Sequence, residues 1–303
     1  MYHVFYVERS TKKVEEEPIY GHIFIEILYG SKWWMRLISK IFLPIFTQNA
    51  FFSKWYGKRQ KRASSRKKID KFIENYSICM EDFIVPEGGF ASFNDFFIRK
   101  LKPGARPLVP GDKTLVLPAD GRYFVLPEVQ ESSFFFVKGQ GFSLKSLLHD
   151  EKLAKKYEGG VLVFARLCPT DYHRFHFPCR CLPGSAEAIC GHLYSVNPIA
   201  LRRYRHILWE NKRVITRLET EYFGDMLYIE VGATAVGTIC QTYEPDRWYD
   251  KGEEKGYFEF GGSSVILLFE KNKIVLEEDL VKASSQKLEL KASMGESLGR
   301  SLL

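Results

Sequence analysis

The stretch VLVFARLCPTDYHRFHFP, residues 161–178, carries the pattern that decides the fold. It opens with a short apolar run, Val161–Phe164, of the kind that is typical of a buried strand. Further apolar or alternating runs lie at Thr114–Leu117, Tyr123–Leu126, Ser133–Val137, Met226–Val231, Ala235–Cys240 and Ser264–Phe269. Turn dipeptides separate them at Pro103-Gly104, Asp120-Gly121, Pro183-Gly184 and Gly261-Gly262. Regularly spaced short strands predict an α+β protein with a mainly antiparallel β domain, built as a barrel or a sandwich.

Helical patterns are few. Apolar residues recur at a helical period from Ile69 to Phe83, and PEGG at residues 86–89 ends that pattern. The segment Ser143–Lys156 is the best helix candidate beyond it. We therefore predict two parts, an N-terminal segment over residues 1–88 and a β-rich domain over residues 89–303.

Composition excludes several protein classes. The chain has 303 residues, of which 45% are hydrophobic and 27% charged, so it can bury a core and is not predicted to be disordered. No apolar run reaches the roughly 18 residues that span a bilayer, and the first residues lack the order of a secretory signal. Six cysteines are too few for a disulfide scaffold, and we expect reduced thiols in a cytoplasmic compartment.

Positive charge is concentrated near the N-terminus. Residues 31–70 contain eleven Lys and Arg and a single acid, Asp70. Aromatic residues are interleaved with these cations, among them Trp33, Trp34 and Trp55, as in helices that lie in a membrane interface. The alternatives are a helical pair packed on the core with a solvated basic tail, and nucleic-acid binding, for which no fold motif is present.

Three short motifs contain residues suited to catalysis. Asp120 lies in LPADG at the end of a predicted strand, His173 and His176 lie between prolines, and Ser263 follows two glycines. Each motif has a plain structural interpretation as well, because Asp-Gly and Gly-Gly-Ser-Ser are common turns and most histidines are structural. A spacing of three in an extended segment places the two histidine rings on opposite faces, which indicates different roles and disfavours a shared metal.

Asp120, His176 and Ser263 together could form a catalytic triad, because triads are defined by geometry and not by their order in the chain. In such a triad the carboxylate orients the imidazole, which removes the serine proton. Two uses remain open at this point. The triad could hydrolyse an external ester or peptide as a serine hydrolase, or it could attack the chain's own backbone.

At these motifs the sequence resembles the phosphatidylserine decarboxylases, which are pyruvoyl-dependent and self-processing. The resemblance covers most of the chain through blocks in the same order and spacing. These blocks are SFNDFFIRKLKPGARP (92–107), PADG (118–121), DYHRFHFP (171–178), SVNP (195–198), VGA (231–233) and GGSS (261–264). Many members have Leu-Gly-Ser-Thr where this chain has Gly-Gly-Ser-Ser, but the Gly262–Ser263 bond is kept.

The resemblance implies that the triad works once, on the chain itself. His176, held by Asp120, would deprotonate Ser263, which attacks the Gly262 carbonyl; the chain is then cut between residues 262 and 263 and Ser263 becomes a pyruvoyl group. The resemblance further implies that this group forms a Schiff base with the amine of phosphatidylserine and takes the electrons of the lost carboxylate. His173 is the candidate for this second stage, in substrate binding or proton transfer.

The resemblance also implies where the protein works and with what. A lipid substrate stays in its bilayer, so we expect the N-terminal segment to dock on an anionic membrane, peripherally on the cytoplasmic face. The large and small chains would form a heterodimer, alone or as a dimer of such pairs. We expect phosphatidylserine as substrate, no metal and no nucleic-acid partner.

Overall fold

The computed structural model describes residues 3–18, 22–30, 32–35, 37, 39–40, 50–130, 143–203, 207–233, 238–261 and 263–302. Four predictions lie wholly or partly outside these residues: parts of the basic aromatic stretch 31–70, the strand Ser133–Val137, the first part of the strand Ala235–Cys240, and the position of Gly262. Among the helices that the structure describes, none is long and apolar enough to cross a membrane.

The secondary structure is dominated by strands. In chain order they are β1 (Phe5–Glu8), β2 (Val14–Glu16), β3 (Phe83–Ile84), β4 (Lys100–Leu101), β5 (Thr114–Val116), β6 (Gly121–Leu126), β7 (Val161–Leu167), β8 (Arg174–His176), β9 (Cys181–Pro183), β10 (Glu187–Ile189), β11 (Arg213–Thr220), β12 (Asp225–Gly232), β13 (Ile239–Gln241), β14 (Glu254–Phe258), β15 (Ser263–Phe269), β16 (Ile274–Leu276), β17 (Glu289–Ala292) and β18 (Ser297–Ser301). The α-helices are α1 (His22–Tyr29), α2 (Ala50–Gln60), α3 (Ile69–Tyr76), α4 (Phe93–Phe97), α5 (Leu144–Leu148), α6 (Glu151–Tyr157), α7 (Pro198–Arg203), α8 (Ile207–Glu210) and α9 (Glu278–Ser285), with a 3₁₀ helix at Ala63–Lys68. The α+β class predicted from the sequence is confirmed.

One large sheet organises the molecule. Its strands lie in the order β10-β11-β12-β15-β7-β6-β17-β1-β2, and β9 also pairs with β11. All neighbours are antiparallel except β1 and β17, which are parallel. Two three-stranded sheets, β13-β14-β8 and β16-β18-β5, and the two-stranded ribbon β3-β4 complete the strand pairing. Two strands of the predicted N-terminal segment, β1 and β2, therefore belong to the large sheet.

Both faces of the large sheet are buried, which explains its continuous apolar runs. Along β7, Val161, Val163 and Ala165 enter one core, whereas Leu162 and Phe164 enter the other. The first core lies under the two three-stranded sheets and α9, and the second lies under α1 and α5 to α8. Within the described residues the large sheet does not close on itself, so the predicted barrel is wrong, and helices rather than a second sheet cover one face.

The predicted helix Ser143–Lys156 is two helices. His149 has a left-handed conformation with φ 53°, which ends α5, and Asp150 starts α6 by accepting bonds from the N–H groups of Lys152 and Leu153. The helix predicted from Ile69 likewise stops early, because Ser77 adopts φ 48° and ends α3. A helical period in the sequence persists through such breaks, since it records the buried face and not the backbone hydrogen bonds.

A third apolar cluster joins the helical N-terminal part to the β domain. It contains Ile69, Phe72, Phe90, Phe93, Phe96, Phe97 and Phe260. Ser92 begins α4 by accepting a hydrogen bond from the Asp95 N–H, at 3.1 Å. The helix thereby places Phe97 against Phe260, with ring centroids 5.0 Å apart, three residues before Ser263. This contact brings α4 to the candidate site.

Candidate active site

Ser263 is the first residue of β15 and lies in the middle of the large sheet. Its backbone pairs with Gly232 of β12 on one side and with Leu167 of β7 on the other. The side chain is fully buried, and its Oγ lies 3.3 Å from Nδ1 of His173. The two residues are ninety positions apart in the chain, so only the sheet brings this pair together.

The His173 ring is held in one orientation. Its Nε2 lies 2.9 Å from the carbonyl oxygen of Cys168. A carbonyl can only accept a hydrogen bond, so Nε2 carries the proton and Nδ1 is left to accept the bond from the Ser263 hydroxyl. Phe97 stacks on the ring with centroids 3.8 Å apart and an angle of 20° between the planes. The tautomer and the position are those of a general base for Ser263.

Burial keeps His173 neutral. Desolvation, and to a lesser degree the charge of Arg99, lower the pKa of His173 from 6.5 to about 3. An imidazole must be unprotonated to take a proton from serine, so His173 is in its active form at neutral pH and well below it.

We expect any reaction that uses this base to be insensitive to mild acid. The rate should stay level as the pH falls from 8 to about 5, because His173 protonates only near its lowered pKa. An imidazole with an ordinary pKa of about 6.5 would instead lose close to tenfold between pH 7 and about 5.5. Rates of Ser263-dependent backbone cleavage measured in buffers across this range distinguish the two cases. A sigmoidal fall centred near pH 6.5 would contradict the role of His173.

A buried ion network fixes the turn that presents the Cys168 carbonyl. Asp171 accepts a hydrogen bond from the Cys168 N–H at 2.7 Å and pairs with Arg122 at 2.6 Å. Glu17 lies between Arg122 and Arg166, at 3.0 Å and 2.6 Å from their nitrogens. Burial would raise the pKa of Glu17, but the charge of Arg166 outweighs it and the pKa is lowered to about 2. The network therefore ties the N-terminal strands to the turn before His173.

His176 lies on the other face of the same segment. Its Nδ1 is 2.9 Å from the carbonyl oxygen of Gly252 and therefore donates, and its Nε2 accepts a bond from the Tyr172 hydroxyl at 3.0 Å. Burial lowers the pKa of His176 as well. The ring lines an open pocket of about 270 Å³ beside Tyr172, Arg106 and Met294. The opposite orientations of the two rings agree with the prediction from their spacing.

Asp120 is held by a different partner from the one predicted. Its carboxylate accepts a 2.8 Å bond from the Arg106 guanidinium and another of 2.8 Å from the Met294 N–H. It forms no hydrogen bond with His176, and His176 forms none with Ser263, in the conformation that the structure describes. Asp120 and His176 are both close to Arg106 at the pocket, whereas His173 takes the place beside Ser263 that we predicted for His176. The assignment of Asp120, His176 and Ser263 as a working triad stays a prediction.

Sequence reasoning missed the groups that orient His173. The Cys168 carbonyl is a backbone group and leaves no signal in the sequence. Phe97 lies in the block of residues 92–107 and Asp171 in the histidine motif, but nothing local to either indicates contact with the site. Cys168, a cysteine to which the sequence assigns no role, was the feature nearest to the carbonyl that orients His173.

The fold and the site together indicate the class of protein, one in which a histidine activates a buried serine. A buried serine lies beside a neutral histidine in the centre of an α+β protein, and the serine follows a glycine pair at a strand end. Such a pair can activate the serine oxygen toward a carbonyl carbon. Because Ser263 is closed off from solvent, the nearest carbonyl carbons are those of the chain itself.

Comparison with known proteins identifies the family. The family model of phosphatidylserine decarboxylase matches residues 93–300. The chain is 48% identical to the phosphatidylserine decarboxylase proenzyme of Chlamydia pneumoniae, covering 98% of this chain and 97% of that protein. It is 47% identical to the proenzyme of Chlamydia caviae, with 98% of each chain covered, and 42% identical to that of Chlamydia trachomatis serovar D, with 98% and 97% covered. The chain belongs to the phosphatidylserine decarboxylase family.

Proposed function

We propose that this chain decarboxylates phosphatidylserine to phosphatidylethanolamine, with a pyruvoyl group that it makes from Ser263 by cutting itself after Gly262. The observation that carries the proposal is the hydrogen bond between the buried Ser263 hydroxyl and the neutral His173. The names of the relatives support the reaction and the word proenzyme supports processing.

The proposed self-cleavage uses only groups of the chain. His173 accepts the Ser263 proton, and Oγ bonds to the Gly262 carbonyl carbon while the C–N bond of that peptide breaks, which leaves an ester and a free amine at residue 263. Loss of the α-proton of residue 263 then expels the Gly262 carboxylate and leaves dehydroalanine. Its enamine tautomerises to an imine, which takes up water and releases ammonia, so that a ketone caps the small chain.

The geometry favours His173 as the base of this first stage and leaves Asp120 and His176 for the second. Sequence reasoning gave the two histidines the reverse roles, with Asp120 and His176 acting on Ser263. The reason for the exchange is the inward direction of the His173 side chain toward β15, while His176 faces the pocket with Arg106. The triad of Asp120, His176 and Ser263 that the sequence predicts remains the competing proposal.

The residues around Ser263 fit a reactive ketone. Phe97 and Phe260 are buried beside the His173–Ser263 pair, and Tyr172 is buried next to His173 in the chain. When formed, the pyruvoyl group supplies a sink for the electrons that carboxylate loss releases. The apolar side chains exclude water from this centre and weaken the solvation of a substrate carboxylate, which favours its departure. His176, neutral at physiological pH, is placed to hold or deliver a proton at the pocket.

Cleavage after Gly262 would not separate the two chains. The small chain begins with β15, which pairs with β12 and β7 of the large chain along its whole length. It continues through β17, which lies between β6 and β1. We therefore propose a heterodimer of the chain's own two products, alone or as a dimer of such pairs.

The N-terminal segment supports a membrane-surface role. Trp33 is 78% exposed and Trp55 is 47% exposed, and Leu37, four residues after Trp33, is exposed as well. Eleven Lys and Arg lie in the same segment, residues 31–70. Exposed tryptophans with interleaved cations suit an anionic leaflet, where each cation contributes about 1 kcal/mol. We propose a peripheral position on the cytoplasmic face of the cell membrane.

The alternative from the sequence, a serine hydrolase with an external substrate, has no support from the comparisons. The geometry also disfavours it, because a hydrolase would act as the uncut chain, in which the Ser263 side chain is inaccessible to a molecule in solution.

Mass spectrometry of the purified, denatured chain tests the proposed function together with a decarboxylation assay. We expect fragments of residues 1–262 and 263–303, and we expect the small fragment to resist reagents that label α-amines. The same preparation should release carbon dioxide from phosphatidylserine and lose this activity on treatment with a carbonyl reagent such as hydroxylamine. An active preparation that consists of the intact chain would refute the proposal.

A further inference from the structure

The pocket beside His176 has a cationic rim that the mechanism above does not use. Lys100 and Lys102 line it, together with Arg106, Tyr172 and His176. The acidic residue Glu254 also lines it and is paired with Arg174 at 2.9 Å. Tyr172 and His176 form its wall, and the segment between them carries His173 to Ser263 on the opposite face. The pocket therefore lies one backbone segment away from the reactive serine.

The cations of this pocket differ in what balances their charge. Arg106 is shared between Asp82 and Asp120, at 2.7 Å and 2.8 Å. Within the described part of the chain, neither Lys100 nor Lys102 forms an ion pair or a side-chain hydrogen bond, and both are exposed. Lys100 is the first residue of β4 and Lys102 directly follows its last residue, Leu101, and both lysines line the same pocket. The rim thus presents two positive charges that no acidic side chain of the described residues balances.

The strand that pairs with Lys100 exposes apolar side chains. Ile84 of β3 is the register partner of Lys100 and is 44% exposed, and Val85 after it is 54% exposed. A phospholipid has acyl chains, then a phosphodiester, then a polar headgroup. Apolar side chains beside unpaired lysines at the rim of a polar pocket match this order of groups. A soluble phosphate compound would make no use of Ile84 or Val85.

We propose that the β3-β4 ribbon binds a single phospholipid molecule, with Lys100 and Lys102 on its phosphodiester and Ile84 and Val85 on its acyl region. This inference rests on the proposed function, and it assigns the part of the substrate that does not react. The two lysines recognise the phosphate, which leaves the amine and carboxylate of the serine headgroup free for the chemistry. Arg106, already neutralised by Asp82 and Asp120, does not compete for the carboxylate.

The first test measures kinetics in neutral detergent micelles that contain phosphatidylserine. The variant Lys100→Gln/Lys102→Gln should raise KM about 30-fold, because each cation near a phosphate contributes about fivefold to binding, while kcat changes little. Lys152→Gln, at an exposed lysine of α6, is the matched control and should leave KM unchanged. Lys100→Arg/Lys102→Arg should restore most of the affinity. An unchanged KM in the glutamine variant would overturn the inference.

A second test needs no reaction. The full-length Ser263→Ala chain is sedimented with phosphatidylserine vesicles, and soluble glycerophosphoserine is used as a competitor. Lys100→Gln/Lys102→Gln should weaken both vesicle binding and competition, whereas Ile84→Ser/Val85→Ser should weaken only vesicle binding. If inorganic phosphate competes as well as glycerophosphoserine, the site takes free phosphate and the lipid assignment is wrong.

The two proposals fail in different ways. A wild-type chain that remains uncut at residue 263 and inactive contradicts the proposed function. A chain that is cut and active, and whose lysine variant keeps the wild-type KM, contradicts only the phospholipid site.

Discussion

Replacing Ser263 with alanine should leave a single uncut chain of 35.2 kDa with no decarboxylase activity. Without Oγ there is no atom to take the Gly262 acyl group, so the ester cannot form and the loss should be complete. The substitution removes one buried hydrogen bond, to His173, which costs about 1 kcal/mol of folding free energy and should not prevent folding. Denaturing gel electrophoresis and mass spectrometry measure the cut, and circular dichroism confirms the fold.

The adjacent serine provides a matched control for Ser263→Ala. Ser264 is buried on the same strand, and its Oγ has no hydrogen-bond partner among the described residues. Its removal should leave cleavage at the wild-type rate. Cleavage that persists in Ser263→Ala, or that stops equally in Ser264→Ala, would show that the 263 hydroxyl is not the nucleophile.

Replacing His173 with glutamine should slow self-cleavage by about 10²–10⁴-fold, the usual contribution of a general base. Glutamine approximates the size of the ring and can still hydrogen-bond to the Cys168 carbonyl, but it cannot accept the Ser263 proton. His176→Gln should cut at close to the wild-type rate and then fail in decarboxylation, because His176 faces the pocket and not the serine. The disappearance of the precursor after cell-free synthesis gives the cleavage rates.

Asp120→Asn separates the two assignments further. If Asp120 and His176 form the base of the first stage, Asp120→Asn and His176→Gln should both block cleavage while His173→Gln spares it. The hydrogen bonds from Arg106 and Met294 to Asp120 lead us to expect the opposite pattern, with cleavage retained in Asp120→Asn. Each assignment therefore predicts a different set of cleaved and uncut chains among the three variants.

The location of Ser263 explains how cleavage can be a single event. The serine lies between two strands of the large sheet with no access for solvent. A buried nucleophile can reach only groups that the fold places beside it, so no external ester competes with the chain's own carbonyl. In the proposed reaction the strand that carries the new terminus would stay paired after the cut, which would keep the site assembled for the second stage.

Strand positions were largely predictable because they depend on local apolar pattern. The runs at Val161–Phe164, Met226–Val231 and Ser264–Phe269 are β7, β12 and β15, the centre of the large sheet. The strands that the pattern missed, such as β11 and β14, carry charged residues whose partners lie elsewhere in the fold. Arg213 of β11 is buried while its guanidinium donates to the carbonyl oxygens of Ser146 and Leu147. Lys255 of β14 is fully buried only because Glu230 of β12 lies 2.6 Å away.

The sequence alone indicated a candidate reacting serine, the glycine before it, two histidines on opposite faces of one segment, and a basic aromatic N-terminal segment. These features depend on residues that are neighbours in the chain. Side chains alternate along an extended segment, so His173 and His176 are expected to face in opposite directions. Which ring meets Ser263 was decided only by the tertiary structure. The choice depends on β15 pairing between β7 and β12 and on the turn held by Asp171 and Arg122, contacts between residues far apart in the chain whose free energies no local pattern records.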